Sequence, residues 1–132
     1  MFTHPCVLRM GDTDAAGILY FANQFRFAHE AFESFLHANG FDLQTILTQS
    51  PYVFVIVHAE SDYKQALHMG DVFTVEVEVS HIGTTSFSLA YTMRRENAIV
   101  GTAKTVHVCL EKKTWEKHPL PENFEAFLRI KN

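Results

Sequence analysis

Between Phe21 and Ala38 the apolar residues return every third or fourth position, and from Tyr52 to Leu110 they return every second. One change of period divides the chain into a single long helix and a following set of strands. Ala22, Phe25, Ala28, Phe32 and Phe35 or Leu36 make the expected apolar stripe, with Gln24, Arg26, Glu30, Glu33 and His37 largely on the other side. Asn39-Gly40 supplies the stop, because glycine readily takes the left-handed conformation that ends a helix. Residues 41–51 read as an irregular connection with one helical turn at Leu43–Leu47.

Val53-Phe54-Val55-Ile56-Val57 is unbroken and apolar, the pattern of a strand covered on both faces. Phe73, Val75, Val77 and Val79 alternate with polar residues, as do Phe87, Leu89, Tyr91 and Met93. Ile99 to Leu110 forms the last long strand, residues 2–10 a short first one, and Glu122–Arg129 a C-terminal helix. One helix cannot cover both faces of such a sheet. The expected class is therefore α+β, a curved antiparallel sheet wrapped around one central helix, in a single domain over residues 1–132. Apolar residues left on the outer face predict a partner subunit, giving a homodimer or a paired-dimer homotetramer.

Composition removes several function classes. Twelve phenylalanines and a 47% hydrophobic content exclude disorder. A net charge of −4 with no basic run argues against nucleic acid. No window approaches the ~18 apolar residues of a membrane span, and Met1-Phe2-Thr3-His4-Pro5 does not begin a signal peptide. A cytoplasmic protein with no membrane partner is expected. Cys6 and Cys109 form no Cys-x-x-Cys pair and read as reduced, buried thiols.

The chemistry is expected at Gly11-Asp12-Thr13-Asp14-Ala15-Ala16-Gly17-Ile18-Leu19-Tyr20-Phe21-Ala22-Asn23. Two acidic residues, two alanines and a glycine lead straight into the helix. That order places a carboxylate at a helix N-terminus, where free N–H groups and the positive end of the macrodipole collect. A carboxylate beside an oxyanion-polarising helix end is a minimal kit for acyl transfer. The plain alternative is that Asp14 only caps the helix. For Asp12 a structural role, fixing the loop by hydrogen bonds, is expected.

The stretch from Asp12 to Asn23 resembles the signature of the hotdog-fold acyl-CoA thioesterases of the 4-hydroxybenzoyl-CoA thioesterase type. Asp62-Tyr63, Gly70-Asp71 and Thr85-Ser86-Phe87 match in order, and the resemblance runs from about Cys6 to Leu110. It implies that Asp14 is the catalytic carboxylate and that the Phe21 backbone N–H polarises the thioester carbonyl after the Gly17 turn. Tyr20, His58, Tyr63, Thr85 and Ser86 are the implied substrate-binding residues. Val57-His58-Ala59 and Val106-His107-Val108-Cys109 look most like the branch acting on 1,4-dihydroxy-2-naphthoyl-CoA. The implied reaction is hydrolysis of an aromatic acyl-CoA to free acid and CoA, with no cofactor, since CoA belongs to the substrate. Alternatives are a broad-specificity short-chain or acyl-carrier-protein thioesterase, and a non-catalytic acyl-CoA-binding protein of the same fold. Relatives with a basic cluster at the turn matching Gly83-Thr84-Thr85 use it for CoA phosphates. That turn carries no Lys or Arg here, so either Lys64, Lys104, Arg94 or Arg95 holds the phosphates or the site is weaker for CoA.

Other constellations fail on chemistry. His29-Glu30 lacks a second histidine one turn on, so no metal is expected. Ser86 and Ser88 have no flanking elbow glycines, which removes a serine-hydrolase reading. His58 ends an apolar run and is either a buried, hydrogen-bonded residue or a substrate contact. Tyr20, Phe21, Phe25, Phe54 and Tyr63 are expected to surround the reactive carboxylate with flat apolar groups suited to a planar acyl group.

Overall fold

A computed structural model describes all residues from Met1 to Asn132. Strand β1 (Phe2–Val7) and a 3-10 turn (Met10–Asp12) precede helix α1 (Asn23–Ala38) and the short helix α2 (Leu43–Gln49). Strands β2 (Tyr52–Tyr63), β3 (Val72–Ile82), β4 (Ser86–Arg95) and β5 (Ala98–Glu111) follow, then helix α3 (Glu122–Lys131). All strand pairs are antiparallel, in the order β1-β3-β4-β5-β2. The expected α+β architecture, a sheet wrapped around one long helix, is the one observed. The connection before β2 is more helical than expected: Asp42 caps α2 by accepting from the Gln44 N–H.

The buried stripe of α1 is rotated from the expected one. Gln24, Phe27, Ala28, Ala31, Phe32, Phe35 and Leu36 are buried, whereas Phe25 is half-buried and Ala22 exposed. Gln24, placed on the solvent side by its polarity, is 2% exposed. Its Nε2 donates to Ser61 Oγ at 2.6 Å and the Asp62 carbonyl at 3.0 Å, so its burial leaves that amide satisfied. Gly101 makes room for it, since a Cβ there would lie 2.7 Å from Gln24 Oε1.

Phe73, Val75, Val77 and Val79 of β3 and Phe87, Leu89, Tyr91 and Met93 of β4 are buried in one core with α1 and α3. The opposite face of these two strands is less apolar than expected, carrying Thr74, Glu76, Glu78, Ser88, Ala90 and Thr92. The apolar surplus sits instead on β2, which is an edge strand rather than a strand covered on both faces. Ile56 and Val57 are exposed there.

A bulge between Ile56 and His58 sets the rest of β2. Phe54 and Ile56 stand opposite Cys109 and His107, whose side chains point to the helix side. Past the bulge the parity flips, so His58, Glu60 and Asp62 turn outward and Ala59, Ser61 and Tyr63 turn in. Without it, two carboxylates would be buried under α1.

Candidate active site

The segment from Asp12 to Ala22 is a folded loop that ends where α1 starts, at Asn23. Tyr20 donates its N–H to the Asp12 carbonyl at 2.9 Å, and Asn23 Nδ2 reaches the same oxygen at 3.2 Å. The Asp12 side chain is buried, pairs with Arg26 and accepts the Arg9 N–H at 2.9 Å. Asp12 thus ties the loop to α1, as its expected structural role requires.

Asp14 lies nine residues before α1 begins and caps nothing of it, contrary to both sequence-based expectations of a helix-end carboxylate. The reason is a small hairpin. Asp14 N–H donates to the Ile18 carbonyl at 2.9 Å and Gly17 N–H to the Asp14 carbonyl at 3.0 Å. Gly17 takes φ +80°, a backbone conformation that a side chain would strain. Asp14 Oδ1 accepts the Ala16 N–H at 2.8 Å, which orients the carboxylate, and Oδ2 has no partner in the chain.

The first N–H groups of α1 are already taken. Those of Asn23, Gln24 and Phe25 bond to the carbonyls of Tyr20, Phe21 and Ala22. The N–H groups of Phe21 and Ala22, one step earlier, donate to nothing in the chain. They are unspent donors at the positive end of a 16-residue helix. The sequence reading had Phe21; Ala22 as a second donor needed the actual helix start, two residues later than expected.

Asp14 and Phe21 share a cleft of about 310 Å³, lined also by Ile18, Leu19, Tyr63 and the 64–67 segment. Tyr63 Oη donates to the Phe21 carbonyl at 2.6 Å. Arg95 holds the opposite wall by donating to the Ala66 carbonyl at 2.9 Å and Gln65 Oε1 at 3.1 Å. It also pairs with Asp71 at 2.8 Å, and the His68 N–H, first, and Arg95 hold that carboxyl below its ordinary pKa. Tyr20 is exposed, its ring 5.0 Å from that of Phe21.

Other proposed residues lie elsewhere in the chain. His58 is exposed, facing Glu60 at 3.7 Å, so the buried reading is overturned by the bulge. Thr85 and Ser86 lie at the β3–β4 turn, with Ser86 opposite Val108 whereas Tyr63 is opposite Gly101. Seven residues of β5 separate those levels, roughly 20 Å of strand. Within one chain neither reaches the Asp14 cleft. Phe54 is also remote, packed on Phe87 and Phe124.

Of the four candidate cations, Arg94 is bound to Glu76 at 3.0 Å and Arg95 is committed to the cleft wall. Lys104 sits opposite Glu60. Lys64 lines the cleft and has no ion-pair partner. Both thiols are buried and free, and burial raises Cys6 to about 12 and Cys109 to about 11, so neither is a nucleophile at neutral pH.

A sequence model of the thioesterase-like superfamily matches residues 8–128. The chain belongs to that superfamily. It is 38% identical over 125 residues to a 1,4-dihydroxy-2-naphthoyl-CoA hydrolase of Synechococcus elongatus, covering 94% of this chain and 92% of the relative. A protein of the same name from Nostoc punctiforme is 34% identical, covering 96% and 86%. A solved 1,4-dihydroxy-2-naphthoyl-CoA thioesterase from Synechocystis superposes with a TM-score of 0.92 at 28% identity, over 97% of this chain and 95% of that one. The resemblance carried by the Asp12–Asn23 motif thus extends over nearly the whole length.

Proposed function

We propose that this thioesterase-like chain hydrolyses an aromatic acyl-CoA, with 1,4-dihydroxy-2-naphthoyl-CoA the first candidate, in the cleft between the Asp14 loop and the start of α1. One observation carries the reading: a carboxylate oxygen of Asp14 and the residue Phe21, whose backbone N–H is free like that of the next residue, Ala22, border one apolar cleft. The names of its relatives supply the substrate class.

The thioester carbonyl oxygen sits against the Phe21 and Ala22 N–H groups, which stabilise the charge it gains as the carbon becomes tetrahedral. Asp14 Oδ2 attacks that carbon, or takes a proton from the water that does; both routes use the same free oxygen. The C–S bond breaks, CoA leaves as the thiolate, and the acid is released after water supplies the second oxygen. Tyr20, Phe21 and Tyr63 offer flat faces to a planar acyl group. Lys64 supplies the uncommitted positive charge that draws the anionic CoA to the cleft.

The active unit is a dimer, and a tetramer if dimers pair again. The outer edge of β2 presents unpaired backbone groups together with exposed Ile56 and Val57, an edge that a second copy can extend. Such pairing would bring residues of the partner, His58, Thr85 and Ser86 among them, towards the cleft. No helix is long and apolar enough to cross a membrane, in keeping with a cytoplasmic enzyme.

Thiol release measured across a series of thioesters tests the substrate class. Hydroxylated aromatic acyl-CoA should exceed acetyl- and butyryl-CoA in kcat/KM by at least ~10-fold. Equal or better turnover of the aliphatic thioesters would replace this reading with the broad-specificity one, and no turnover of any would favour the binding protein.

A further inference from the structure

The first turn of α1 has no cap of its own. Its N-cap residue is Ala22, which offers no side-chain acceptor. The N–H groups of Asn23, Gln24 and Phe25 reach back three residues, to the carbonyls of Tyr20, Phe21 and Ala22. A helix end of this kind frays unless something outside the helix fixes it. The free N–H groups of Phe21 and Ala22 lie at that end, and an oxyanion donor works only if it is aimed before the charge develops.

Gln24 supplies the fixing contact. It stands in the first turn, is 2% exposed, and does not line the Asp14 cleft. Its Nε2 faces two backbone carbonyls, Asp62 at 3.0 Å and Thr102 at 3.4 Å, and Ser61 Oγ at 2.6 Å. Carbonyl oxygens only accept, so the atom they face is the amide nitrogen. Ser61 Oγ donates to the Thr102 carbonyl at 3.1 Å and accepts from Gln24. One side chain thus ties the helix start to the end of β2 and to β5. The next residue of β2 closes a ring. Tyr63 Oη donates to the Phe21 carbonyl at 2.6 Å, and the Gln24 N–H reaches the same oxygen at 3.3 Å.

Gly101 is the other half of the arrangement. It pairs with Tyr63 across the sheet, and a Cβ on it would lie 2.7 Å from Gln24 Oε1 and 2.8 Å from Nε2, closer than side-chain carbons approach. Its φ lies outside the left-handed region, so what glycine provides here is space for the amide.

We propose that Gln24 is a positioning residue for the hydrolysis: through Asp62 and Ser61 it sets the start of α1 on the end of β2, and so aims the Phe21 and Ala22 N–H groups at the thioester oxygen. This role presupposes that those two donors hold that oxygen. Gln24 touches no substrate and acts through the backbone alone.

Gln24→Met keeps the length and the apolar stem and removes the donors. Thiol release should show kcat lower by at least ~10-fold with KM within ~3-fold, because a displaced oxyanion donor weakens the transition state and leaves ground-state binding alone. Gln24→Glu keeps the shape but turns a carboxylate towards two carbonyl oxygens. The neutral acid can donate to one of them, and burial raises the pH at which it forms. The ratio of variant to wild-type kcat should therefore climb as pH falls from about 8 to about 5.5. A side chain that only stabilised the fold would leave that ratio flat. Gly101→Ala displaces the amide without altering it and should reproduce the loss in kcat. Added to Gln24→Ala, which vacates the space, it should cost less than ~2-fold more. If a substitution at Gln24 prevents folding, Gly101→Ala carries the kcat test. A folded Gln24→Met within ~3-fold of wild-type kcat, a loss confined to KM, or a flat pH ratio would overturn the role. An active Gln24→Met beside an inactive Asp14→Asn would remove the role of Gln24 alone, whereas a fully active Asp14→Asn would remove the reaction assigned to the cleft.

Discussion

The Tyr63 hydroxyl at the end of β2 donates a 2.6 Å hydrogen bond to the carbonyl of Phe21, 42 residues earlier. It clips the sheet to the residue whose own N–H is unspent, so the direction of that donor depends on a side chain from another element. Tyr63→Phe keeps the ring and loses the clip. It should lower kcat by about 5- to 20-fold, on the order of 1–2 kcal/mol, with KM changed much less. Steady-state thiol release is the readout. An equal loss confined to KM would mean that Tyr63 only contacts substrate.

The two carboxylates of the motif should separate stability from activity. Asp12 is tied to Arg26 and to the Arg9 N–H, and only 13% of its side chain is exposed. Asp12→Ala should cost about 2 kcal/mol of stability by leaving those partners unpaired. Asp14→Asn, at an exposed loop, should cost less than about 0.5 kcal/mol. Urea unfolding of the two variants gives the comparison, and equal losses would contradict it.

His107 predicts a pH dependence of folding. Burial, aided by nearby His29, holds its pKa down at about 4 against 6.5 in the unfolded chain. Between those values the unfolded chain binds the proton and the folded chain does not. Stability therefore rises with pH across that window and is lost as pH falls through it, by up to on the order of 3 kcal/mol. His107→Phe should flatten urea-derived stability between pH 6.5 and 4 relative to the wild type. An unchanged slope would mean that His107 titrates freely in the folded state.

Lys64 is the cation of the cleft without a carboxylate partner. Lys64→Gln should raise KM for acyl-CoA about 3- to 10-fold, leave kcat nearly unchanged, and reduce the salt sensitivity of kcat/KM. Initial rates at two ionic strengths measure this. A fall in kcat alone would put Lys64 in the chemistry instead.

The helix, the strands and the wrapped sheet were legible because each follows from a local period that packing respects. Loop geometry was not. The order Asp14 to Gly17 to helix suggested a carboxylate at the helix end, whereas eight residues of hairpin and turn, held by the Asp12–Tyr20 bond, intervene. His58 was misplaced because one bulged residue reverses the side of everything after it. The charges at Glu60 and Asp62, alternating with Ser61, were the available signal for that reversal. Gln24 was missed because polarity hides a core position when its hydrogen bonds come from residues distant in sequence, and His107 because its partner Thr105, two residues away on the same face of β5, reads as polar too. The adjacent Gly101, opposite Tyr63, is the trace that Gln24 leaves in the sequence.

Hydrolysis by purified Asp14→Asn, followed as CoA thiol release from 1,4-dihydroxy-2-naphthoyl-CoA, tests the central claim most directly. The substitution keeps the Ala16 N–H bond through the side-chain carbonyl and replaces the free, charged oxygen by an amide nitrogen that can neither attack nor accept a proton. A fall in kcat of about 10²–10⁴-fold, roughly 3–5 kcal/mol of barrier, with unchanged unfolding behaviour is the predicted result. A folded variant that turns over within ~3-fold of the wild type would contradict the account.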